Sequence, residues 1–383
     1  MRGPPVAVAL LLAGAPAAAE DPASPPPGAP PGVPAMPTGK TATEGPAEPD
    51  PLRAGMRGWY TFPGVFYTPE TRLGGALVFG IHFGVEEGLA TSNAELITYY
   101  TQNHQAAAQV RATLCPSRPL LVDVHGEASY FPAPFYGVGP GAPASAEEWY
   151  TNRYVDLRVD SGWTISGALR GGIRLHLRRE VGVTREEGGA LAQGDLPGSG
   201  DWGAVGVGPV FTWDGRDDRF QPSSGGYVNA AYAYYPSSLA AGVDAFGRAQ
   251  LDVRWFFSPL ARNTLGFQVM LEGAHGDVPV TVLPNIGGND TLRGYVDGRY
   301  RDDLGYSAQV EWRFPIAGRF RGTVFAGAGG VGHDLAGVTS HAPRPAGGLG
   351  LRFRLTSTGA YLRGDVAYGA DGVQIYFLTM EAF

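Results

Sequence analysis

A chain of 383 residues with a formal net charge of −7 lacks the basic surplus that a nucleic-acid backbone attracts, and its single cysteine, Cys115, excludes an internal disulfide framework. It contains no run of roughly eighteen apolar residues, so no transmembrane helix is available.

The first residues, MRGPPVAVALLLAGAPAAAED, place Arg2 before an apolar stretch from Val6 to Ala15 and a small-residue site, Ala17-Ala18-Ala19, before Glu20. That three-part order is a secretory signal, and its apolar core is about half the roughly 20 residues of a spanning helix. Residues 1–19 are read as the signal peptide. Residues 20–57, with the run PASPPPGAPPGVPAMPTG, hold few large apolar side chains. Such a segment cannot bury enough surface to offset its ordering entropy, and it reads as a disordered periplasmic linker.

From residue 58 the pattern changes to segments of about ten residues that alternate apolar and polar side chains, as successive strand positions do. Strands are predicted at 59–67, 73–84, 92–101, 105–114, 120–131, 150–160, 167–179, 202–213 and 226–235. Seven more follow at 246–257, 263–275, 304–315, 320–331, 345–355, 359–369 and 372–383. Val155, Leu157 and Val159 oppose Asp156, Arg158 and Asp160; Ile173, Leu175 and Leu177 oppose Arg174, His176 and Arg178. Tyr306, Ala308, Val310, Trp312 and Phe314 share one face, while Ser307, Gln309, Glu311 and Arg313 share the other.

A soluble β-sandwich also alternates. Charges at strand centres, aromatic residues near segment ends, the export signal and the terminal Phe383 favour a membrane barrel. Only helices and closed barrels satisfy every backbone group in lipid. The fold class is therefore all-β: residues 58–383 form a sixteen-stranded antiparallel transmembrane β-barrel in the bacterial outer membrane, contacting its lipid. The stretch 277–303, between strands 11 and 12, is too long for an ordinary hairpin, and loops of that length are usually functional or disordered.

Within that stretch, IGGNDTLRGY (Ile286 to Tyr295), followed by QVEWRFPI (Gln309 to Ile316), resembles the BamA/TamA-type outer-membrane assembly and secretion barrels, the bacterial surface antigen family. YTPETRLGG (Tyr67 to Gly75), FYGVGP (Phe135 to Pro140), DGRDDRFQPSSGGY (Asp214 to Tyr227) and GGLGLRFRL (Gly347 to Leu355) are similar to the same family. The resemblance implies a sixteen-stranded barrel whose long loop folds into the lumen with Leu292, Arg293, Gly294 and Tyr295 at its tip. It implies insertion or translocation of other polypeptides, with a weak seam between first and last strands and the loop as plug or strut. It also implies a C-terminal assembly signal at Phe383, read by the barrel-assembly machinery that inserts this chain.

A guanidinium inside a barrel needs carboxylate or carbonyl partners, because an unpaired buried charge costs about 3–5 kcal/mol. Glu311, on the lumen face of the next strand, is the nearest candidate in sequence, and a fork between it and Arg293 would pin the loop. Gly294 permits close backbone approach and Tyr295 can pack against the wall. The family carries F-x-D-x-G on the following strand, with an Asp that meets the loop arginine; this chain has Phe325-Ala326-Gly327-Ala328-Gly329, with Gly327 in that place. Glu311, or an acid on another strand such as Asp365, is left to take the role. Glu381, two residues before the end, is an untidy fit to an apolar strand face.

The family's members carry periplasmic POTRA modules before the barrel. Residues 20–57 are no such fold, so a POTRA-bearing partner would have to present any polypeptide client. No Ser/His/acid motif or metal-ligand spacing stands out, so no catalysis, metal or cofactor is expected, and His82, His125 and His176 are read as lining a polar lumen. Two functions compete: a polypeptide-inserting or translocating barrel, and a passive channel or structural barrel without client handling.

Overall fold

The computed structural model describes residues 58–383, apart from 84–91, 118, 220, 355–360 and 380. The signal peptide and linker expected at 1–19 and 20–57 lie outside the described residues. Among those described, no helix is long and apolar enough to cross a membrane.

Sixteen antiparallel strands make one closed sheet. They are β1 (Gly58–Thr68), β2 (Arg72–Phe83), β3 (Ser92–Thr101), β4 (Ala106–Ser117), β5 (Leu120–Phe135), β6 (Glu148–Ser166), β7 (Leu169–Arg185) and β8 (Trp202–Asp214). The circuit continues with β9 (Gly225–Tyr235), β10 (Phe246–Phe257), β11 (Thr264–Gly276), β12 (Leu304–Ala317), β13 (Phe320–Gly332), β14 (Arg344–Arg354), β15 (Tyr361–Gly369) and β16 (Gly372–Thr379). Each strand pairs with its neighbours in sequence.

The alternation read from the sequence sets the two faces. Trp312, Trp255, Val155 and Ile173 stand exposed on the outside, where lipid would meet them, while Ser307, Gln309, Glu311 and Arg313 are buried inside. Odd strands start, and even strands end, at a rim with short turns such as 167–168 and 318–319. Exposed Trp59, Trp163, Trp255 and Trp312 stand near this rim as an aromatic girdle. The opposite rim carries the long loops 136–147, 186–201 and 277–303.

Three strands in particular differ from expectation. The β6–β7 hairpin is longer than predicted, reaching its loop-rim end at Glu148 and Arg185. The last strand stops at Thr379 rather than 383, because Glu381 turns inward to arginines of the lumen instead of facing outward. Pro209, with no N–H to donate, sits where the β8–β9 ladder is interrupted between Val207↔Tyr234 and Val210↔Ala231.

Ladder lengths are unequal. The β1–β2 ladder runs unbroken from Gly58↔His82 to Thr68↔Arg72, and β15–β16 runs from Leu362↔Thr379 to Gly369↔Gly372. Among the described residues, β1 and β16 close the barrel through one pair, Tyr67↔Phe377.

The lumen is not empty. At the loop rim, Phe135, Tyr150, Leu191, Trp202 and Phe246 pack with Val278, Val280 and Val282 of the long loop into an apolar dome. Toward the turn rim, a cavity of about 530 Å³ is lined by Arg158, Arg174 and Arg254 and by Asp123, Asp160 and Asp252.

Candidate functional site: the lumen loop and the seam

The loop 277–303 descends from β11, turns at residues 292–295 and returns to β12. A two-residue ladder, Asn285–Ile286 with Tyr300–Arg301, ties its two arms together. Thr291 fixes the bend: its hydroxyl accepts from the Gly287 N–H and donates back to the Gly287 carbonyl. Gly294 has φ +115, and a Cβ there would stand 3.1 Å from the Tyr368 carbonyl group, so backbone conformation and close approach both require glycine. Tyr295 is wholly buried and donates its hydroxyl to the Pro345 carbonyl at 2.9 Å.

Arg293 is buried completely, and both acids that the sequence offered it are present. Its Nη2 lies 2.6 Å from Glu311 Oε2 on β12, and its Nη1 lies 2.9 Å from Asp365 Oδ2 on β15. The guanidinium therefore straddles two carboxylates rather than forming the expected fork on Glu311 alone. Its flat face covers the Phe325 ring at 3.6 Å.

The position of the family's aspartate, Gly327, is filled differently. A Cβ at Gly327 would stand 3.1 Å from Leu292 Cδ1 and 2.8 Å from the Ala308 carbonyl oxygen. Leu292 thus packs over bare strand backbone, and the acids that meet Arg293 stand on β12 and β15 instead.

Sequence reasoning did not foresee the size of this ionic cluster. Glu311 also meets Arg313 at 2.7 Å and Arg352 at 3.6 Å. Glu381 meets Arg352 at 2.8 Å, and Arg313 donates to the Phe383 carbonyl oxygen at 2.8 Å. Phe383, the expected assembly signal, lies buried beside Phe256 inside the turn-rim end of the barrel. Arg363 completes the cluster with Asp365 3.4 Å away, and none of its guanidinium nitrogens has a hydrogen-bond acceptor among the described residues. The signal for these arginines was the lumen-face parity of WRF, RFR and YLRGD. His176 does line the lumen, hydrogen-bonded to Asp156 at 2.9 Å.

The loop also reaches both sides of the closing seam. On β16, the Tyr376 hydroxyl accepts from the Gly294 N–H and donates to the Tyr295 carbonyl, both at 3.1 Å, one residue from the seam pair at Phe377. On the β1–β2 turn, the half-buried Glu70 carboxyl feels the charge of Asp297 on the loop. Burial, then the Asp297 charge, pushes Glu70 up to about 7.

A sixteen-stranded barrel of outer-membrane type, closed among the described residues by one ladder pair and holding a latched loop in its lumen, defines the class of protein. The family model of the Omp85 superfamily domain matches residues 141–379, and the chain belongs to that superfamily. Its fold is similar to that of BamA from Haemophilus ducreyi lacking POTRA domains 1–3, at TM-score 0.58 and 12% identity over 85% of this chain and 70% of that one. It is similar to CdiB from Acinetobacter baumannii at TM-score 0.56 and 14% identity, over 84% of this chain and 59% of that one. CdiB from Escherichia coli gives TM-score 0.56 and 12% identity, over 85% of this chain and 63% of that one. No curated protein matches the sequence.

Proposed function

We propose that this barrel inserts or translocates other polypeptides into or across the bacterial outer membrane, without catalysing a chemical step. The observation that supports this most is the seam. In lipid, an unpaired backbone N–H or C=O costs several kcal/mol, so a strand edge left free there is a strong template for another strand. Below Tyr67, β1 presents such an edge from Gly58 to Phe66, since among the described residues its one ladder pair with β16 is Tyr67↔Phe377. An incoming segment that pairs with β1 satisfies both chains at once.

The lumen loop suits a control of that opening, because it binds Tyr376 on one side of the seam and acts on Glu70 through the Asp297 charge on the other. The long-loop rim faces outward and the short-turn rim faces the periplasm, following the asymmetry of outer-membrane barrels. The client, or a POTRA-bearing partner presenting it, then arrives at the rim where β1 begins. The barrel-assembly machinery would insert this chain itself. The passive-channel reading is disfavoured by the loop and dome that fill the lumen.

A photocrosslinker at Val65 tests the reading. It should capture an unfolded outer-membrane protein during its insertion into liposomes, while the same group at Leu157, on the continuous wall, should not. Equal capture at both positions would overturn it.

A further inference from the structure

At the loop rim, where the long loop rejoins the wall, three side chains from two separate chain segments converge. Asp302 and Asp303 immediately precede β12, and His333 immediately follows β13. Leu304↔Gly332 is the last pair of the β12–β13 ladder, so Asp303 and His333 stand at the next register step, opposite each other. One ligand atom from each of the three lies within 4.8 Å of the other two.

The backbone under them is fixed. The Asp302 N–H donates to the Pro284 carbonyl at 3.1 Å, and the Asp303 carbonyl accepts from the Ala274 N–H at 2.7 Å. Asp302 is only 6% exposed. Its Oδ1 accepts from the Asp303 N–H at 2.9 Å. Gly139 borders its Oδ2: a Cβ there would be 4.0 Å from it.

The arginines nearby are engaged elsewhere. Arg301 donates to the carbonyls of Val280 and Gly298, Arg344 donates to Pro140, and Arg299 pairs with Asp371 at 2.9 Å. The one ionic partner of Asp302 or Asp303 among the described residues is the imidazole of His333, which pairs with Asp303 and whose side chain is 82% exposed. Two carboxylates, one on a buried residue, therefore face a single exposed imidazole, and the cluster is short of positive charge.

We propose that Asp302, Asp303 and His333 bind a divalent transition ion of the Zn²⁺ class, which clasps the returning arm of the lumen loop to the start of the β13–β14 loop. Two carboxylates with one imidazole match a borderline ion better than Ca²⁺ or Mg²⁺, which prefer all-oxygen shells. Ligand atoms within 4.8 Å of one another can converge to the roughly 2.1 Å such an ion requires through rotation of the exposed His333. The sequence hides the site because the two aspartates and the histidine are far apart along the chain and meet only through the β12–β13 register.

The test is titration of the refolded, tag-free barrel with ZnCl₂ by calorimetry, beside His333→Ala and Asp303→Asn. Wild type should bind one ion, each variant should lose at least tenfold in affinity, and excess Ca²⁺ should not compete. His333→Ala removes an exposed side chain, so its heat-modifiable gel shift should match wild type and report an intact barrel. No binding by wild type, binding unchanged in both variants, or displacement by Ca²⁺ would overturn the assignment.

Discussion

Truncating Arg293 to alanine removes the centre of the lumen cluster, and the geometry sets the size and the order of the effect. Taking one member from a buried ion pair costs about 3–5 kcal/mol when its partner is left alone. Here neither acid is left alone: Glu311 keeps Arg313 at 2.7 Å, and Asp365 keeps Arg352. The cluster's side chains are four arginines (293, 313, 352 and 363) against three acids (311, 365 and 381), and losing Arg293 evens that count and frees Asp365 Oδ2 for Arg363 at 3.4 Å. The cation–π contact with Phe325 adds about 1–2 kcal/mol of loss. The net expectation is about 2–3 kcal/mol. Glu311→Gln acts in the opposite sense, leaving four arginines with two acids, and should cost the full 3–5 kcal/mol or so. Urea unfolding of the refolded barrel in detergent, followed by tryptophan fluorescence and the heat-modifiable gel shift, measures both. An Arg293→Ala midpoint equal to wild type, or one lower than that of Glu311→Gln, would refute the reasoning.

Further outcomes follow from the loop's other contacts. Gly327→Asp, which restores the family's acid, should destabilise the barrel in the same unfolding assay rather than strengthen the latch, because its Cβ would stand 2.8 Å from the Ala308 carbonyl oxygen. Glu70 has a folded-state pKa raised above its ordinary 4.5 to about 7, so the native state holds a proton that the unfolded chain releases. Its contribution is fully present below the unfolded value and is lost as pH rises toward 7, by on the order of 3 kcal/mol. Glu70→Gln should flatten the stability profile across that window, and profiles that stay parallel would contradict the raised value of Glu70. Deleting residues 286–300 should turn a quiet barrel into a large, steady conductance in planar bilayers; steady conductance in the intact protein would identify an ordinary pore.

What the sequence revealed depended on whether the signal was local. Strand faces were legible because alternation is a property of consecutive residues, and the split of Trp312 and Glu311 to opposite faces is set within one strand. The long loop was legible from its length, its LRGY tip from the family resemblance, and both acids because a charge at a lumen-facing position narrows its possible partners. That Arg293 meets Glu311 and Asp365 together was not, since it depends on how three distant strands are spaced around the lumen. The inward turn of Glu381 escaped for the same reason: the arginines that draw it in sit on β12 and β14. The shortness of the seam is least local of all, because the overlap of β1 with β16 is the accumulated stagger of every ladder between them.

The central claim, that the seam opens for a client strand, is tested most directly by closing it. Paired residues on adjacent antiparallel strands are spaced for a disulfide, so Tyr67→Cys with Phe377→Cys, in a Cys115→Ala background, should cross-link on oxidation. Insertion of an unfolded outer-membrane protein into liposomes is then timed with the barrel reduced and oxidised. The account predicts faster insertion than into protein-free liposomes, loss of that gain on oxidation and its return with reductant; equal rates in the two redox states would contradict it.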